Sequence, residues 1–146
     1  MFKTLLAGQV YVEKIPTMIV VAAALAEPGG RVLLQQRSPG RSMAGLWEFP
    51  GGKLETGETP EAALVRELHE ELGIEVDRDT LVPAAFASAS AGDHHMILLL
   101  YFCRTWRGEP QALDASGLRW VYPREMALLA MPPADVPLIG ALELML

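Results

Sequence analysis

Short apolar runs separated by turn residues predict most of the strands of this chain. The run at 18–25, MIVVAAAL, is apolar throughout and β-branched at its start, which is typical of a buried strand. The turn residues EPGG at 27–30 separate it from a returning strand at 31–36. Further strands are predicted at 46–49, 81–88, 96–106 and 118–121, with a small-residue turn at 88–93, and the pattern also permits a short strand at 10–12.

One segment has helical spacing instead, and it is bounded by clear start and stop signals. Thr59-Pro60-Glu61 combines an N-cap, a proline at the first helical position and an acid in the first turn. Gly73 follows the last periodic leucine and supplies the C-terminal stop. Two more helices are predicted, a short one beginning at Pro123 and a final one at 136–146. Strands followed by a helix, with helices again at the end, predict an α/β fold with a mixed sheet.

The helix predicted between Thr59 and Gly73 carries two neighbouring strips of side chains. An apolar strip that would face a core consists of Leu64, Leu68 and Leu72, with Val65 at its edge. An acidic strip lies beside it and consists of Glu67, Glu70 and Glu71, because residues three and four apart are neighbours on a helix. Crowded carboxylates repel each other, whereas Mg²⁺ binds carboxylate oxygens together with water and phosphate. On the helix alone, the acidic strip is either a solvated face or a cation site.

Composition and charge narrow the classes of function. The 146 residues suit one domain with a sizeable core, and the net charge of −6 argues against a nucleic-acid-binding surface, which needs basic patches. The single cysteine, Cys103, excludes an internal disulfide and lies in an apolar run, so we expect it to be buried. No apolar stretch is long enough to span a membrane, and residues 1–10 make a poor signal peptide. We therefore expect a cytoplasmic monomer or homodimer without membrane or nucleic-acid partners.

The residues around the helix also form a spaced motif. Gly52 is followed by Glu58 after five residues and by RELHEELGI at 66–74 after seven more. This spacing resembles the Nudix box of the Nudix hydrolases at every specified position. The segments GLWEFPGGK at 45–53 and PPAD at 132–135 resemble the MutT-like branch of that family.

The resemblance implies a fold, a boundary and an activity. It implies the Nudix α/β/α sandwich with a mixed sheet at 17–146, after an N-terminal extension of uncertain order at 1–16. It implies Mg²⁺-dependent hydrolysis, with Mn²⁺ as a substitute, of a nucleoside triphosphate to monophosphate and pyrophosphate. The MutT-like branch points to oxidised purine nucleotides such as 8-oxo-dGTP, hence to nucleotide-pool cleaning and DNA repair. A pyrophosphohydrolase for CTP or a modified pyrimidine triphosphate is the alternative, and a non-catalytic nucleotide-binding module on the same fold is a third.

The same resemblance implies which residues bind the metal. The ligands would be the acidic strip, Glu67, Glu70 and Glu71, together with the backbone carbonyl of Gly51. A glycine pair allows that carbonyl to approach closely. Lys53 would assist catalysis by binding phosphate as a point charge, although a surface lysine looks the same in isolation.

Residues outside the helix complete the predicted site. Arg37, just after the returning strand, either contacts substrate or serves only the surface. Asp114 stands where relatives carry a glutamate that binds metal or positions water, and it competes with Glu70 and Glu71 for the role of general base. Asp135 either contacts the nucleobase or caps the final helix.

Two further pairs of residues have simpler interpretations. Glu58 and Arg66 carry opposite charges and are expected to hold the glycine-rich loop against the acidic strip. His94 and His95 fall at the predicted turn, where we expect them to be exposed rather than to act as ligands or as a base.

Overall fold

The computed structural model describes residues 2–6 and 10–146, with side chains for residues 15–146. Strands β1 (Phe2–Leu6) and β2 (Val10–Lys14) pair antiparallel as a separate two-stranded sheet. The strand permitted at 10–12 therefore lies within β2. The division of the chain at residue 16 stays a prediction.

The remaining elements follow the order that the apolar pattern predicts, apart from β6, which replaces part of the expected glycine turn. They are β3 (Thr17–Leu25), β4 (Val32–Gln36), β5 (Trp47–Glu48), β6 (Gly51–Lys53), α1 (Pro60–Leu72), β7 (Val82–Ala91), β8 (His94–Cys103), β9 (Gly117–Val121), α2 (Pro123–Met126) and α3 (Val136–Met145). A 3₁₀ turn at Arg78–Thr80 leads from α1 towards β7.

A mixed four-stranded sheet forms the centre of the fold, in the order β6-β3-β8-β7. Strands β3 and β8 pair in parallel from Thr17–His95 to Leu25–Cys103, while β6 and β7 pair antiparallel at the two edges. A second, antiparallel sheet has the order β5-β4-β9. The prediction of a mixed sheet is confirmed.

Each face of the central sheet has its own core, as helices on both faces require. The apolar strip of α1 packs on one face, where Leu64, Leu68 and Leu72 are all 0% exposed. Helix α3 covers the other face through Leu138 and Leu142. These layers confirm the expected α/β/α sandwich.

Two strand predictions are wrong in their boundaries. Strand β7 continues to Ala91, because its small side chains stay in register with β8 up to the pair Ala91–His94. The turn is therefore reduced to Gly92 and Asp93, and the two histidines start β8 as half-buried strand residues rather than exposed turn residues.

The far end of β8 is also shorter than predicted. The strand ends at Cys103, where its parallel partner β3 ends as well. Trp106 leaves the sheet and stacks on Trp120 with ring centroids 6.1 Å apart. Cys103 is buried as expected, and burial raises the pKa of its thiol to about 11. Among the described residues, no helix is long and apolar enough to cross a membrane.

Candidate active site

Local signals fix the position of helix α1. The Thr59 hydroxyl accepts a hydrogen bond from the Ala62 N–H at 3.2 Å, and Pro60 occupies the first turn. At the other end Gly73 adopts a left-handed conformation with φ of 71°, and its N–H donates to the His69 carbonyl. Both predicted caps are confirmed, and they set which side chains face the sheet.

A pair of glycines allows β6 to approach strand β3 on one side and helix α1 on the other very closely. A Cβ atom on Gly51 would lie 1.9 Å from the carbonyl oxygen of Val21, so no side chain fits between these strands. A Cβ atom on Gly52 would lie 2.4 to 2.7 Å from the carboxylate of Glu67. The missing side chain of Gly52 therefore makes the space in which a carboxylate from α1 lies against the loop backbone.

Glu71 is the most buried member of the acidic strip, with 9% of its surface exposed. Its Oε2 atom accepts hydrogen bonds from the Gln35 side-chain amide and from the Gly51 N–H, both at 3.0 Å. Burial raises the pKa of Glu71 to about 8, and these two hydrogen bonds oppose that rise. The carboxylate is thus fixed beside the glycine pair, and neither of its two hydrogen-bond donors carries a charge.

The other two members of the acidic strip are less buried. The Glu67 side chain is 15% exposed and accepts a hydrogen bond from Arg66 at 2.9 Å. Burial raises the pKa of Glu67, and the adjacent guanidinium opposes the rise. The Glu70 side chain is 58% exposed and lies 3.5 Å from the same guanidinium. The exposure of the three carboxylates therefore increases from Glu71, which is buried, through Glu67 to Glu70, which is open to solvent.

Arg66 ties the loop to the helix, as its pairing with Glu58 predicts. Its guanidinium donates to both carboxylate oxygens of Glu58, at 2.7 and 2.9 Å, and to the Lys53 carbonyl at 3.2 Å. The hydrogen bonds from Arg66 lower the pKa of Glu58 to about 2. Arg66 thus anchors the segment that carries the two glycines.

The donor set at the glycine pair suits a hard divalent cation. Among residues 15–146, no three His, Cys, Asp or Glu side chains are gathered closely enough to hold a metal by themselves. Mg²⁺, however, is commonly bound by one or two carboxylates, with waters and phosphate completing its shell. Glu67 and Glu71 offer such carboxylates, and the space left by Gly52 lies beside them. The residues at the glycine pair are therefore suitable ligands for a divalent cation such as Mg²⁺.

All of the residues predicted for the site line one cleft of about 1070 Å³. They are Arg37, Gly51, Lys53, Glu67, Glu70, Glu71, Asp114 and Asp135. The fold thus brings together residues from β6, α1 and three loops, as the resemblance implied. His94, from the start of β8, also lines this cleft.

Two ion pairs cross the part of the cleft that is formed by loops. The Arg37 guanidinium contacts Glu48 at 2.8 Å and donates to the Ser42 carbonyl at 2.7 Å. Asp114, about half exposed, is paired with Arg41 at 3.1 Å. Burial raises the pKa of Glu48, and Arg37 opposes the rise.

Sequence reasoning missed three of these residues. Glu48 and Arg41 are the partners of predicted site residues, and Gln35 positions Glu71. Gln35 is 4% exposed, and its Oε1 atom has no hydrogen-bond partner among the described residues. A glutamine inside the apolar strand VLLQQ is the signal that could have identified it, because the amide of a buried glutamine is usually hydrogen-bonded to another polar group.

Asp135 does not cap helix α3 with its side chain, so the capping alternative is wrong. Its Oδ2 atom instead accepts a hydrogen bond from the Phe49 N–H at 3.2 Å, and only 7% of the residue is exposed. Burial raises the pKa of Asp135 to about 7, the Phe49 N–H opposes the rise, and Glu48 adds to it. Asp135 thus lines the cleft as a buried carboxylate whose Oδ2 atom is bound to the Phe49 N–H.

The raised pKa of Asp135 predicts how stability depends on pH. Between the ordinary pKa of 3.8 and the folded-state value of about 7, the folded protein holds a proton that the unfolded chain has released. Stability from this group is therefore present below pH 3.8 and is lost as the pH rises through about 7, by at most about 1.4 kcal/mol per pH unit. Asp135→Asn keeps an acceptor for the Phe49 N–H but cannot ionise.

We expect urea denaturation in chelator to show the variant gaining stability relative to wild type as the pH rises from about 4 to 8. Asp79→Asn, at an exposed aspartate, is the matched control and should follow the wild-type pH dependence. Parallel pH profiles for wild type and Asp135→Asn would show that Asp135 titrates normally.

Comparison with known proteins places these features in a family. The NUDIX domain model matches residues 16–142. The CTP pyrophosphohydrolase of Escherichia coli (strain K12) is 41% identical over 124 residues, which cover 85% of this chain and 90% of that protein. The 8-oxo-dGTP diphosphatase of the same organism is 32% identical, and the match covers 85% of this chain and 95% of that protein. The solution structure of the E. coli ORF135 protein matches with a TM-score of 0.79 at 36% identity, covering 90% of this chain and 91% of that chain.

Proposed function

The chain belongs to the NUDIX domain family and is a Nudix hydrolase acting on nucleotides, and from this we propose that it hydrolyses nucleoside triphosphates to monophosphate and pyrophosphate with a divalent metal ion. The observation that carries the proposal is the position of Glu67 and Glu71 beside the glycine pair, with Lys53 lining the same cleft. A non-catalytic module would have no need of this arrangement.

Each group in the cleft has a distinct task in this proposal. Glu67 and Glu71, with the carbonyl of Gly51, would hold Mg²⁺ or Mn²⁺, and Arg66 keeps the loop and helix in place around them. A bound cation supplies neutralisation of phosphate charge and polarisation of the phosphorus–oxygen bonds. Lys53 binds a phosphate oxygen as a point charge.

The hydrolytic step needs a base for the attacking water. The water oxygen forms a bond to phosphorus, the bridging phosphorus–oxygen bond breaks, pyrophosphate leaves, and the water gives up one proton. Glu70 is the best placed to accept it, because its carboxylate is open to the cleft. Asp114 is paired with Arg41, and Glu71 is buried and already holds two hydrogen bonds.

For the nucleobase of the substrate, we propose oxidised guanine in 8-oxo-dGTP as the leading candidate and cytosine in CTP as the second. Relatives support both candidates, since the CTP pyrophosphohydrolase and the 8-oxo-dGTP diphosphatase of Escherichia coli are both similar to this chain. Guanine-type and cytosine-type bases both present an exocyclic amine, whose N–H could donate a hydrogen bond to the Oδ1 atom of Asp135. Uracil and thymine lack that amine, and a buried carboxylate left unpaired is costly.

A panel of triphosphates read by pyrophosphate release tests this proposal. We expect turnover of 8-oxo-dGTP, dGTP and CTP to exceed that of dTTP and UTP, and all turnover to stop when EDTA removes the metal. Asp135→Ala should raise KM and flatten the base preference while the metal requirement stays.

Asp79→Ala, at an exposed aspartate outside the cleft, is the matched control and should keep the wild-type preference. Unchanged selectivity in Asp135→Ala would remove the base-contacting role. Full activity in EDTA would overturn the metal-dependent mechanism itself.

A further inference from the structure

The two oxygen atoms of the Glu71 carboxylate have different surroundings. The Oε2 atom accepts two hydrogen bonds at 3.0 Å, from the Gln35 side-chain amide and from the Gly51 N–H. A carboxylate oxygen has about two lone-pair sites, so this atom is fully occupied. Within residues 15–146, the Oε1 atom of Glu71 accepts no hydrogen bond, and Gln35 Oε1 is the only buried side-chain atom without a partner. The Oε1 atom of Glu71 is therefore open to the cleft that this residue lines.

Gln35 donates to Glu71 from a rigid position. It lies in β4, the central strand of the second sheet, and pairs with Glu48 of β5 on one side and Leu118 of β9 on the other. Only 4% of the residue is exposed, so its side chain has little solvent to turn into. A carboxylate that acts as a ligand is ionised and only accepts, so the Nε2 atom of the amide must face it.

The carboxylate of Glu67 is divided between its two oxygens in the same way. Its Oε1 atom accepts a hydrogen bond from the Arg66 guanidinium at 2.9 Å, whereas its Oε2 atom accepts none from the described residues. Each carboxylate at the glycine pair can therefore be a ligand through a single oxygen. A carboxylate without such donors could bind a cation through both oxygens.

We propose that Gln35 is a positioning residue that makes Glu71 a one-oxygen ligand and thereby selects Mg²⁺ over Ca²⁺, an inference that rests on the proposed function. Mg²⁺ requires near-ideal octahedral geometry with oxygens at about 2.0–2.1 Å, which single carboxylate oxygens and waters satisfy. Ca²⁺ takes about 6–8 oxygens at about 2.3–2.6 Å, and carboxylates that bind through both oxygens help to supply them. With Oε2 held by Gln35 and Gly51, Glu71 has no second oxygen to offer the larger ion.

Packing alone does not require an amide at position 35. The preceding residues of β4 are apolar and buried, so an apolar side chain would continue the core. Burying an amide whose Oε1 atom has no partner lowers stability. The amide is kept at a position where its hydrogen bond reaches a carboxylate of the cleft, which indicates that the site requires it rather than the core.

Cation binding to Gln35→Met tests the proposal without turnover. Methionine has a similar length but no donor, so the Oε2 atom of Glu71 would keep only the Gly51 N–H. Electron paramagnetic resonance measures free Mn²⁺, and Mg²⁺ and Ca²⁺ are titrated against it as competitors. Changes in outer-shell partners alter metal affinity by about 10–100-fold. We therefore expect the ratio of the Ca²⁺ to the Mg²⁺ dissociation constant to fall at least about tenfold in the variant.

Gln36→Met is the matched control on the same strand. The Gln36 amide donates to the Gly45 carbonyl at 3.2 Å, and neighbouring side chains of a strand point to opposite faces. This variant should keep the wild-type ratio of the two dissociation constants. An unchanged ratio in Gln35→Met as well would overturn the role of Gln35.

A measurement on the wild type covers the case in which Gln35→Met does not fold. In ¹⁵N-labelled protein with assigned side-chain amides, the Gln35 amide should exchange its hydrogens slowly both in chelator and at saturating Mg²⁺, because it donates to Glu71 in both states. Faster exchange when Mg²⁺ is added would overturn the proposal, since Glu71 would then have turned away from its donor.

The outcomes separate this inference from the proposed function. Metal-dependent turnover with equal ratios in wild type and Gln35→Met overturns the role of Gln35 and leaves the function intact. A ratio lowered only in Gln35→Met, without pyrophosphate release from any triphosphate, supports the role of Gln35 and overturns the function. A wild-type protein that binds no Mn²⁺ overturns both.

Discussion

Glu67→Gln and Glu71→Gln are each expected to lower kcat by at least about two orders of magnitude while the protein stays folded. The amide keeps the shape of the side chain but removes the charge that would hold the cation. Glu71→Gln retains an oxygen that can accept from the Gln35 amide and the Gly51 N–H, so the local packing is preserved. The measurement is steady-state pyrophosphate release at saturating Mg²⁺, with circular dichroism to check folding.

Glu61→Gln is the matched control on the same helix. Glu61 lies outside the cleft and accepts a hydrogen bond from the Tyr101 hydroxyl at 3.2 Å, which glutamine can also accept. This variant should keep wild-type kcat. Near-normal turnover in both Glu67→Gln and Glu71→Gln would refute the assignment of the metal site.

The second large effect concerns stability rather than chemistry. Leu68→Ala is expected to lower the free energy of unfolding by about 2–5 kcal/mol, because it opens a cavity at a side chain that is 0% exposed. Urea denaturation measures the loss. The folded fraction should retain activity close to normal, since Leu68 packs in the core and does not line the cleft.

Leu128→Ala gives the comparison for an exposed leucine. Leu128 is 86% exposed, so the same truncation should change stability by no more than about 0.5 kcal/mol. If Leu68→Ala were fully stable yet inactive, the side chain would have to contact the site instead of the core.

Sequence alone predicts helix α1 and its two strips accurately because its signals are local. The Thr59 cap, Pro60 and the Gly73 stop lie next to the residues they control, and each is confirmed by a hydrogen bond or a backbone angle. Periodicity then assigns Leu68 to the core and Glu71 to the adjacent face. Such features depend on neighbours within one or two helical turns.

The partners of the site residues are harder to predict because they come from distant parts of the chain. Gln35 reaches Glu71 across 36 positions, and Phe49 reaches Asp135 across 86. Composition and spacing carry no information about such pairs. The position of Asp135 before the final helix also permits a cap, and only the fold shows that the Phe49 N–H binds its carboxylate instead.

The errors at the ends of β7 and β8 have a related cause. The run of serine and alanine at 88–91 predicts a turn, because turns are rich in small and polar residues. In the fold they alternate along an edge strand, and pairing with β8 continues to Ala91. Pairing between strands, which the sequence does not display, decided where the turn would fall.

The parallel pairing of β3 with β8 has a consequence for how the chain is made. Thr17 pairs with His95 and Leu25 with Cys103, so the whole glycine loop and helix α1 are synthesised between two strands that must meet. Parallel contacts between distant segments slow folding, because a long loop must close before they form. Until β8 leaves the ribosome, the apolar strand β3 lacks its central partner, and an unpaired apolar strand is prone to aggregate. The emergence of residue 103 is therefore the earliest moment in biosynthesis at which the central sheet can close beneath the cleft.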